Sequence, residues 1–242
     1  MKTNRILEKM RRGERAVGAV MNFPSEEIVE LLGIAGLDFV SFDGQHGAFS
    51  RETLDHLCRA ADQAGLTPIA RVPDIEASTI LSYLDRGIMG ITGPNIDTRE
   101  QAVALAEACK FSPEGKRSFG STRGNRFGFS EDRQAWMAHV NANILVIAQI
   151  ESKTAVANLP DILGVAGIDL FTGGPNDLAQ SLGFPGEPNH PRVKETMNEA
   201  ARLIHKAGKK LAKEVMDSIS IAELVVNSAR ALREKDKGQP TR

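Results

Sequence analysis

An α/β fold with a mostly parallel sheet is the fold class that the sequence predicts. Short apolar runs rich in β-branched residues alternate with longer segments of helical period along most of the chain, a pattern typical of repeated right-handed crossovers. No linker interrupts the alternation, and 242 residues suit a single barrel domain over residues 1–242. No GxGxxG turn or P-loop follows a predicted strand, which disfavours the common nucleotide-binding open sheets. A closed barrel and an open doubly wound sheet are the two candidate architectures.

The predicted strands are short and apolar. They cover residues 15–21, 37–42, 67–72, 88–92, 144–150, 168–172 and 210–215. The predicted helices begin with one that starts at Ser25 and continue over residues 51–64, 77–86, 98–109, 131–142, 192–206 and 220–233. Ser25 suits the N-cap position because its hydroxyl can accept a hydrogen bond from the first helical turn. Gly65 suits the C′ position after its helix, where the backbone is often left-handed.

Charge and composition argue against a nucleic-acid or membrane partner. Lys and Arg together number 30 and Asp and Glu 31, so the net field favours neither nucleic acid nor an anionic lipid surface. No stretch approaches the roughly 18 apolar residues of a membrane span, and the charged N-terminal segment lacks the apolar core of a secretory signal. The two cysteines lie in helical patterns, which favours a reducing compartment. We therefore expect a cytoplasmic protein that handles small molecules.

Polar residues gather just beyond the predicted strands, where parallel α/β folds place their functional groups. They are Asp43, Gln45 and His46 after the second strand, Arg71 at the end of the third, Asp85 before the fourth, Gln149 and Glu151 at the end of the fifth, and residues 173–177 after the sixth. The opposite strand ends carry mostly helix caps and turn residues. This asymmetry predicts an active site at one mouth of the sheet.

Glu151 and Asp177 are the most informative pair among these residues. They follow successive strands, which lie side by side in a barrel, so both carboxylates can point into one mouth. Two carboxylates with water and substrate oxygens suit Mg²⁺ or Mn²⁺. Helix capping by each carboxylate is the alternative. The pair together favours a metal site.

A glycine-rich turn precedes Asp177. Gly173 and Gly174 stand before Pro175 and Asn176 at a predicted helix start. Glycine lets backbone N–H groups approach an anion closely, and a helix N-terminus favours a carboxylate. An ordinary tight turn is the commoner meaning of two glycines, so both interpretations stay open.

His46 and Arg71 are candidates for proton transfer and charge stabilisation. Glycines flank the Gln45-His46 pair, which suggests an exposed position, and a histidine there suits a general base. A surface histidine is the alternative. Arg71 ends an apolar strand, where a buried cation needs an anionic partner. That partner is a substrate anion or, in a purely structural ion pair, Glu151 or Asp43.

Residues 111–130 form a long segment in which basic residues alternate with glycines and aromatics. Such a composition also occurs in nucleic-acid-binding loops, but the balanced net charge disfavours that use. We expect an active-site loop over the mouth that contacts an anionic substrate or a neighbouring subunit.

The sequence resembles the HpcH/HpaI class II aldolases over most of the chain, from about Val17 to Val215. The motifs that carry the resemblance are DFVSFDGQHG, the arginine of IARVP, LDRGIMGITGP, SPEGKRSFG, AQIES, and GGPNDLAQSLG followed by HP. Their order and spacing together are specific. The resemblance implies a TIM-type (β/α)8 barrel and a metal-dependent aldolase that joins a pyruvate-type enolate to an aldehyde, or cleaves the resulting 4-hydroxy-2-oxo acid.

The resemblance also implies roles for the mouth residues. The metal ligands would be Glu151 and Asp177, holding Mg²⁺, Mn²⁺ or Co²⁺; the substrate-binding residues Gln149, Gly174, Pro175 and Asn176; and the catalytic residues Arg71, His46 and Asp85. Arg71 would stabilise the enolate oxygen, and His46 would move protons with the help of Asp85, which a neighbouring subunit could supply. A homo-oligomer, trimer or hexamer, is expected. No Schiff-base lysine is required, and Lys213 is the one rival.

Two departures from the family pattern stand out. The usual Asp-x-Glu-His carries Gln45 in place of the glutamate, and the loss of that charge would lower the basicity of a touching histidine. After Val215 only 27 residues remain, and they indicate one helix. We therefore expect a barrel that lacks the α7–β8 segment.

Two other functions stay open on the sequence. An oxaloacetate-type decarboxylase or another lyase would use the same enolate and differ from an aldolase in not needing an aldehyde. A non-catalytic metabolite-binding barrel would bind metal and a pyruvate- or hydroxypyruvate-like molecule without exchanging its protons.

Overall fold

Eight parallel strands form one sheet that curls into a TIM-type barrel in the computed structural model, which describes residues 2–236. The strands are β1 (Ala16–Met21), β2 (Phe39–Asp43), β3 (Thr67–Arg71), β4 (Gly90–Gly93), β5 (Leu145–Ile150), β6 (Leu170–Gly173), β7 (Lys210–Leu211) and β8 (Met216–Ser220). From β1 to β7 each strand pairs with the next along the chain, and β8 pairs with β1. An open doubly wound sheet would reverse its order at a switch point. The predicted fold class is confirmed, in its barrel form.

Helices connect the strands on the outside of the sheet. They are α1 (Arg5–Arg11), α2 (Glu26–Ile34), α3 (Arg51–Gln63), α4 (Ala77–Leu84), α5 (Arg99–Cys109), α6 (Arg133–Asn141), α7 (Lys153–Ala157), α8 (Leu159–Leu163), α9 (Pro175–Ser181), α10 (Pro191–Lys206), α11 (Ala212–Val215) and α12 (Ile221–Asp236). Ser25 caps α2 by accepting a hydrogen bond from the N–H of Ile28, and Gly65 follows α3 with a φ of 70°, both as predicted. No helix in residues 2–236 combines the length and apolar character needed to cross a bilayer.

Apolar side chains fill the amino end of the barrel. Phe39 and Ile69 point inward from β2 and β3 and form one buried cluster with Ile6 of α1, as is usual for the interior layers of such barrels. The buried Asn4 anchors α1 across this end, because its side-chain N–H group donates to the carbonyl of Met89 at 2.8 Å. The amino end is therefore packed and closed.

The barrel wall has a seam between β7 and β8. β7 pairs with β6 at two positions, Leu170 with Lys210 and Phe171 with Leu211. β8 pairs with β1 over five positions. The four-residue helix α11 joins β7 directly to β8, and within residues 2–236 these two strands do not pair with each other. The wall is thus complete from β8 through β1 to β6 and weak beside β7.

The predicted absence of an eighth strand is wrong, and the predicted seventh strand is too long. Residues 216–220 pair in parallel with β1 and take the place of the eighth strand, although their sequence, MDSIS, is not an apolar run. Residues 217–219 of this strand are exposed. The seventh strand ends at Leu211 and not at residue 215. The expected loss of a long helix after the seventh strand is confirmed, since α11 has four residues.

Candidate active site

A bidentate ion pair between β2 and β3 sets one wall of the mouth. Arg71 donates from Nε to Asp43 Oδ1 at 2.9 Å and from Nη2 to Asp43 Oδ2 at 2.7 Å. Burial pushes the pKa of Asp43 upward, but the hydrogen bonds and charge of Arg71 outweigh it and hold this pKa below its usual value. Of the partners considered for Arg71, Asp43 is the one that it contacts. This contact leaves Arg71 oriented at the mouth with its side chain 26% exposed.

Asp43 also orders the turn that carries His46. Its Oδ1 accepts hydrogen bonds from the backbone N–H groups of Gln45 and His46, each at 3.3 Å. His46 is exposed, as the flanking glycines predicted. The side-chain oxygen of Gln45 is buried and accepts no hydrogen bond from the described residues. The turn is therefore held by its backbone and leaves the His46 ring accessible.

Glu151 is a buried carboxylate with little cationic compensation. It is 3% exposed, and its Oε1 accepts from the backbone N–H of Asn95 at 3.0 Å, while its Oε2 accepts from the side-chain amide of Gln149. Burial raises the pKa of Glu151; the Asn95 bond opposes this, the nearby Asp177 raises it further, and Arg71 lowers it. Asp177 and Arg71 are therefore near enough to influence the charge of Glu151, in opposite directions.

Gly174 lets the chain after β6 approach this carboxylate. A Cβ at this position would lie 2.9 Å from the Cβ of Glu151 and 3.0 Å from Gln149 Nε2. The residue is buried and precedes α9, whose first turn presents Pro175, Asn176 and Asp177 to solvent. Close backbone approach, and not only turn geometry, explains the glycine here.

A divalent metal ion fits this pair of carboxylates. Within residues 2–236 no group of three or more His, Cys, Asp and Glu side chains is arranged around one point, so the chain offers two oxygen ligands, from Glu151 and Asp177. Hard cations such as Mg²⁺ commonly use one or two carboxylates and fill their other positions with water and substrate oxygens. A cation would also relieve the unfavourable burial of the Glu151 charge.

The mouth opens into a small cavity inside the barrel. Asp43, Arg71, Gln149, Thr172 and Gly173 are among the residues that line it, and its volume is about 230 Å³. Pockets for drug-sized ligands usually begin near 300 Å³, so this cavity suits a smaller metabolite. The charged and amide groups all lie on the mouth side of the apolar amino-end cluster.

Asp85 lies at the opposite end of the barrel from Glu151. It follows α4 and precedes β4, and its carboxylate accepts from Arg117 at 3.5 Å and from Asn125 at 3.4 Å. The prediction that Asp85 belongs to the mouth is wrong within one chain, because the end of a helix that returns to the sheet lies beside the amino end of the next strand. Asp85 can meet His46 only if another copy of the chain supplies it.

The segment 111–130 packs beside the same amino end and does not cover the mouth of its own chain. The Arg117 guanidinium stacks on the Phe111 ring at 4.5 Å, and Arg123 donates to the carbonyl of Arg86 at 3.0 Å. The backbone N–H of Gly124 donates to the carbonyl of Asp85 at 2.9 Å. The expectation of a loop over the chain's own mouth is therefore wrong. The alternative, that this segment contacts a neighbouring subunit, stays a prediction.

Two further residues bear on the site: Asn95, which binds Glu151, and Lys213, the candidate Schiff-base lysine. The sequence patterns did not single out Asn95. It follows β4 in a left-handed conformation with φ 52°, and its N–H donates a hydrogen bond to Glu151. A Pro-Asn pair after a strand was the available signal, since asparagine tolerates this conformation. Lys213 is exposed in α11 and is not among the residues that line the interior cavity, so its position does not favour a Schiff base there.

Comparison with known proteins shows which proteins the whole chain is similar to. Residues 21–236 match the family model described as HpcH/HpaI aldolase/citrate lyase. The chain is 34% identical over 209 residues to the 2-keto-3-deoxy-L-rhamnonate aldolase of Shigella sonnei, which covers 86% of this chain and 77% of the relative. Its fold is similar to a crystal structure of an HpcH/HpaI aldolase from Desulfitobacterium hafniense, with a TM-score of 0.86, 25% identity and 96% of each chain covered. A family protein from Burkholderia cenocepacia gives a TM-score of 0.86 at 27% identity, over 97% of this chain and 100% of the other.

Proposed function

The chain belongs to the HpcH/HpaI aldolase/citrate lyase family, and we propose that its mouth binds a pyruvate-type donor and a divalent metal ion for aldol chemistry. As its aldolase relatives indicate, it is a carbon–carbon lyase that acts on small molecules, which sets aside a purely metabolite-binding role. Members of the family generally depend on divalent metal ions. The single observation that carries the proposal is the buried Glu151 carboxylate, whose pKa is raised by burial and by the nearby Asp177 and which bonds to Gln149 at the edge of the interior cavity.

Glu151 and Asp177 are the proposed metal ligands. When bound, Mg²⁺, Mn²⁺ or Co²⁺ would act as a Lewis acid that favours loss of a proton from the donor's methyl group. Glu151 is held for this role by the N–H of Asn95 and the amide of Gln149. Asp177 is exposed in the first turn of α9, so water and substrate oxygens would have access to a metal ion held there.

Arg71 is the proposed stabiliser of the enolate oxygen. Its guanidinium keeps a fixed direction because it makes two hydrogen bonds to Asp43, it lines the interior cavity, and its charge is near enough to lower the pKa of Glu151. A fixed cation at the point where negative charge develops lowers the barrier because it needs no reorganisation. Gln149, with the backbone around Gly174, Pro175 and Asn176, would hold the donor's carboxylate.

His46 is the proposed proton carrier. It stands exposed at the mouth on a turn that Asp43 orders. A proton leaves the methyl carbon of the donor, and the resulting enolate carbon forms a bond to the aldehyde carbon. The aldehyde oxygen then takes up a proton, which yields a 4-hydroxy-2-oxo acid that contains all atoms of both reactants. Asp85 of a neighbouring copy would assist His46.

A homo-oligomer, trimer or hexamer, is part of the proposal. Asp85 and the segment 111–130 lie at the amino end of their own barrel, so they reach a mouth only in another copy. Helix α12 also exposes Leu224, Val225 and Leu232, which a partner would cover. The two buried free thiols, Cys58 and Cys109, accord with a cytoplasmic location.

Aldol condensation of pyruvate with an aldehyde tests the proposed reaction. Purified protein with Mg²⁺ should convert pyruvate and a simple aldehyde such as acetaldehyde to the 4-hydroxy-2-oxo acid, followed by NMR. Arg71→Ala should slow this by about 10²–10³-fold, whereas Arg59→Ala, which removes an exposed arginine of α3, should leave it unchanged. Decarboxylation of oxaloacetate together with no condensation for any aldehyde would favour the decarboxylase over the aldolase.

A further inference from the structure

A cavity of about 700 Å³ lies at the amino end of the barrel, away from the mouth. The end of α3, the connection between α4 and β4, helix α6 and the segment 111–130 enclose it. In the described part of the chain, its lining includes none of the residues proposed above to bind metal or substrate or to act in catalysis. Its volume is within the range of about 300–1,000 Å³ that is usual for small-molecule sites. This amino-end cavity is therefore large enough for a ligand of its own.

Two buried side chains that line the amino-end cavity carry N–H groups without an acceptor. The Arg117 side chain is 1% exposed, and its Nη2 donates to Asp85 and Asn125, but its Nε has no hydrogen-bond partner within residues 2–236. Trp136 is 8% exposed, and its indole Nε1 likewise has no partner among these residues. A buried donor without an acceptor is unfavourable. A side-chain rotation that brings either N–H group to a ligand oxygen would therefore be favourable.

The charge of the lining is mainly positive. Among the described residues, the cations that line the amino-end cavity are Lys2, Arg117, Arg123 and Arg126, and Asp62 is the acidic residue there. Lys2 and Arg123 both pair with Asp62, so one carboxylate serves two cations. An excess of positive charge in a partly enclosed site favours an anionic ligand.

Aromatic side chains form the apolar part of the lining. Trp136, Phe127 and Phe129 all line the amino-end cavity, and the two phenylalanines are exposed. The Arg126 guanidinium lies over the Trp136 ring, 5.7 Å from its centre. Arg126 and Phe127 hold their positions in a left-handed backbone conformation, with φ 51° and 55°, which bulky residues rarely adopt and which concentrates at functional sites. The segment thus presents a flat apolar surface beside a cation.

We propose that the amino-end cavity binds a small aromatic carboxylate at a site separate from the mouth. The aromatic ring lies against Trp136 and Phe127, and the carboxylate lies among the side chains of Arg117 and Arg126. A carboxylate is preferred to a neutral polar group because the site offers cations and N–H donors. An aromatic ring is preferred to an aliphatic one because the rings that line the site pack on its faces and edges.

Titration with three matched molecules tests this proposal. Trp136 is the only tryptophan of the chain, so its fluorescence reports directly on this cavity, and titration calorimetry gives the affinity independently. Phenylacetate should bind with a Kd of about 1 mM or lower and change the Trp136 emission in a saturable way. Phenylacetamide, which lacks the charge, should bind about tenfold or more weakly. Cyclohexylacetate, which lacks the aromatic ring, should bind about fivefold more weakly.

Three variants locate the binding in the folded protein. Arg126→Gln should weaken phenylacetate binding by about fivefold or more. Arg133→Gln is the matched control, because Arg133 is an exposed arginine of α6 that lies over the Phe119 ring, outside the cavity. Arg71→Ala, at the mouth, should leave the affinity for phenylacetate unchanged.

The absence of binding by both fluorescence and calorimetry would overturn the amino-end cavity as a ligand site. Equal affinities for phenylacetate and phenylacetamide, or equal losses in Arg126→Gln and Arg133→Gln, would also overturn it. A loss of binding in Arg71→Ala would place the ligand at the mouth and contradict a separate site. The aldolase proposal does not depend on these results, because the exchange of pyruvate methyl protons tests it independently.

Discussion

Buried carboxylates at the two ends of the barrel differ in how their charge is compensated, and their pKa values shift in opposite directions. Asp38 at the amino end is 2% exposed, and Glu151 at the mouth is 3% exposed. Asp38 accepts from Lys9 at 2.6 Å and pairs with Arg5 at 2.9 Å, and although burial opposes it, these contacts hold the pKa of Asp38 below its usual value. The pKa of Glu151 is raised by its burial and by Asp177.

The difference is that the Asp38 carboxylate has cationic partners within the protein, whereas the Glu151 carboxylate lacks a direct one within residues 2–236 and would be stabilised by a bound cation. At the amino end, ion pairs fix α1 against the sheet and contribute to stability. At the mouth, a carboxylate is buried beside another carboxylate, an arrangement that costs stability and that a bound metal ion would compensate. Variants at the two ends should therefore separate activity from stability.

Glu151→Gln should have the largest effect. The variant keeps an oxygen that accepts from the N–H of Asn95 but loses the ligand charge, so the exchange of pyruvate methyl protons should fall on the order of 10³-fold. The free energy of unfolding without metal should stay equal or rise, because an uncompensated buried charge is removed. Urea denaturation and NMR exchange measure the two quantities. A variant that is less stable than the wild type and keeps full exchange would contradict the contrast drawn between Glu151 and Asp38.

Gly174→Ala should have an intermediate effect at the same end. The added methyl group meets Glu151 and Gln149, so the carboxylate must shift and the affinity for Mn²⁺ should fall by about 10–100-fold. Gly164→Ala is the matched control, because the nearest atom to a Cβ there is a carbonyl oxygen at 3.4 Å. Isothermal titration with Mn²⁺ gives both affinities. Equal affinities in the two variants would contradict the role of close backbone approach.

Asp38→Asn should have the smallest effect on activity and a clear effect on stability. It leaves Arg5 and Lys9 without their anion, and since both cations keep partial access to water, the loss of unfolding free energy should be about 2 kcal/mol. Exchange of pyruvate methyl protons should be unchanged. A loss of exchange at native stability would show that the amino end takes part in the chemistry.

The stability conferred by Asp38 should depend on pH in a defined direction. Its pKa is depressed in the folded state, so its contribution is fully present above the unfolded value, about 3.9, and is lost as the pH falls through the folded value. The difference in unfolding free energy between the wild type and Asp38→Asn should therefore be constant near neutral pH and shrink below about pH 4. Urea denaturation across this range tests the sign.

The mouth could be predicted from the sequence because its residues directly follow strong strands. Glu151 and Gln149 end a fully buried strand, and Gly174 follows another, so strand direction alone brings them together. Asp85 was misplaced because it ends a helix, where the same rule puts a residue at the opposite end. Asn95 was missed because the Pro-Asn pair indicates only its left-handed backbone, whereas the contact of its N–H with Glu151 depends on tertiary structure.

The C-terminal part of the barrel was harder to predict for a different reason. Residues 216–220 form a strand through pairing with β1, and their polar sequence carries no periodic signal of its own. The helix patterns that followed clear caps, such as Ser25 and Gly65, were predicted within a few residues. Tertiary pairing, and not local propensity, decides the eighth strand.

Deuterium exchange into the methyl group of pyruvate is the most direct test of the central claim. The protein is incubated with pyruvate in D₂O with Mg²⁺ or Mn²⁺, with EDTA, and as Asp177→Ala, with Asp161→Ala as a control for an exposed aspartate of α8. We expect exchange that requires the metal ion and Asp177 and that survives in Asp161→Ala. No exchange from folded, metal-loaded protein would contradict enolate chemistry at this mouth.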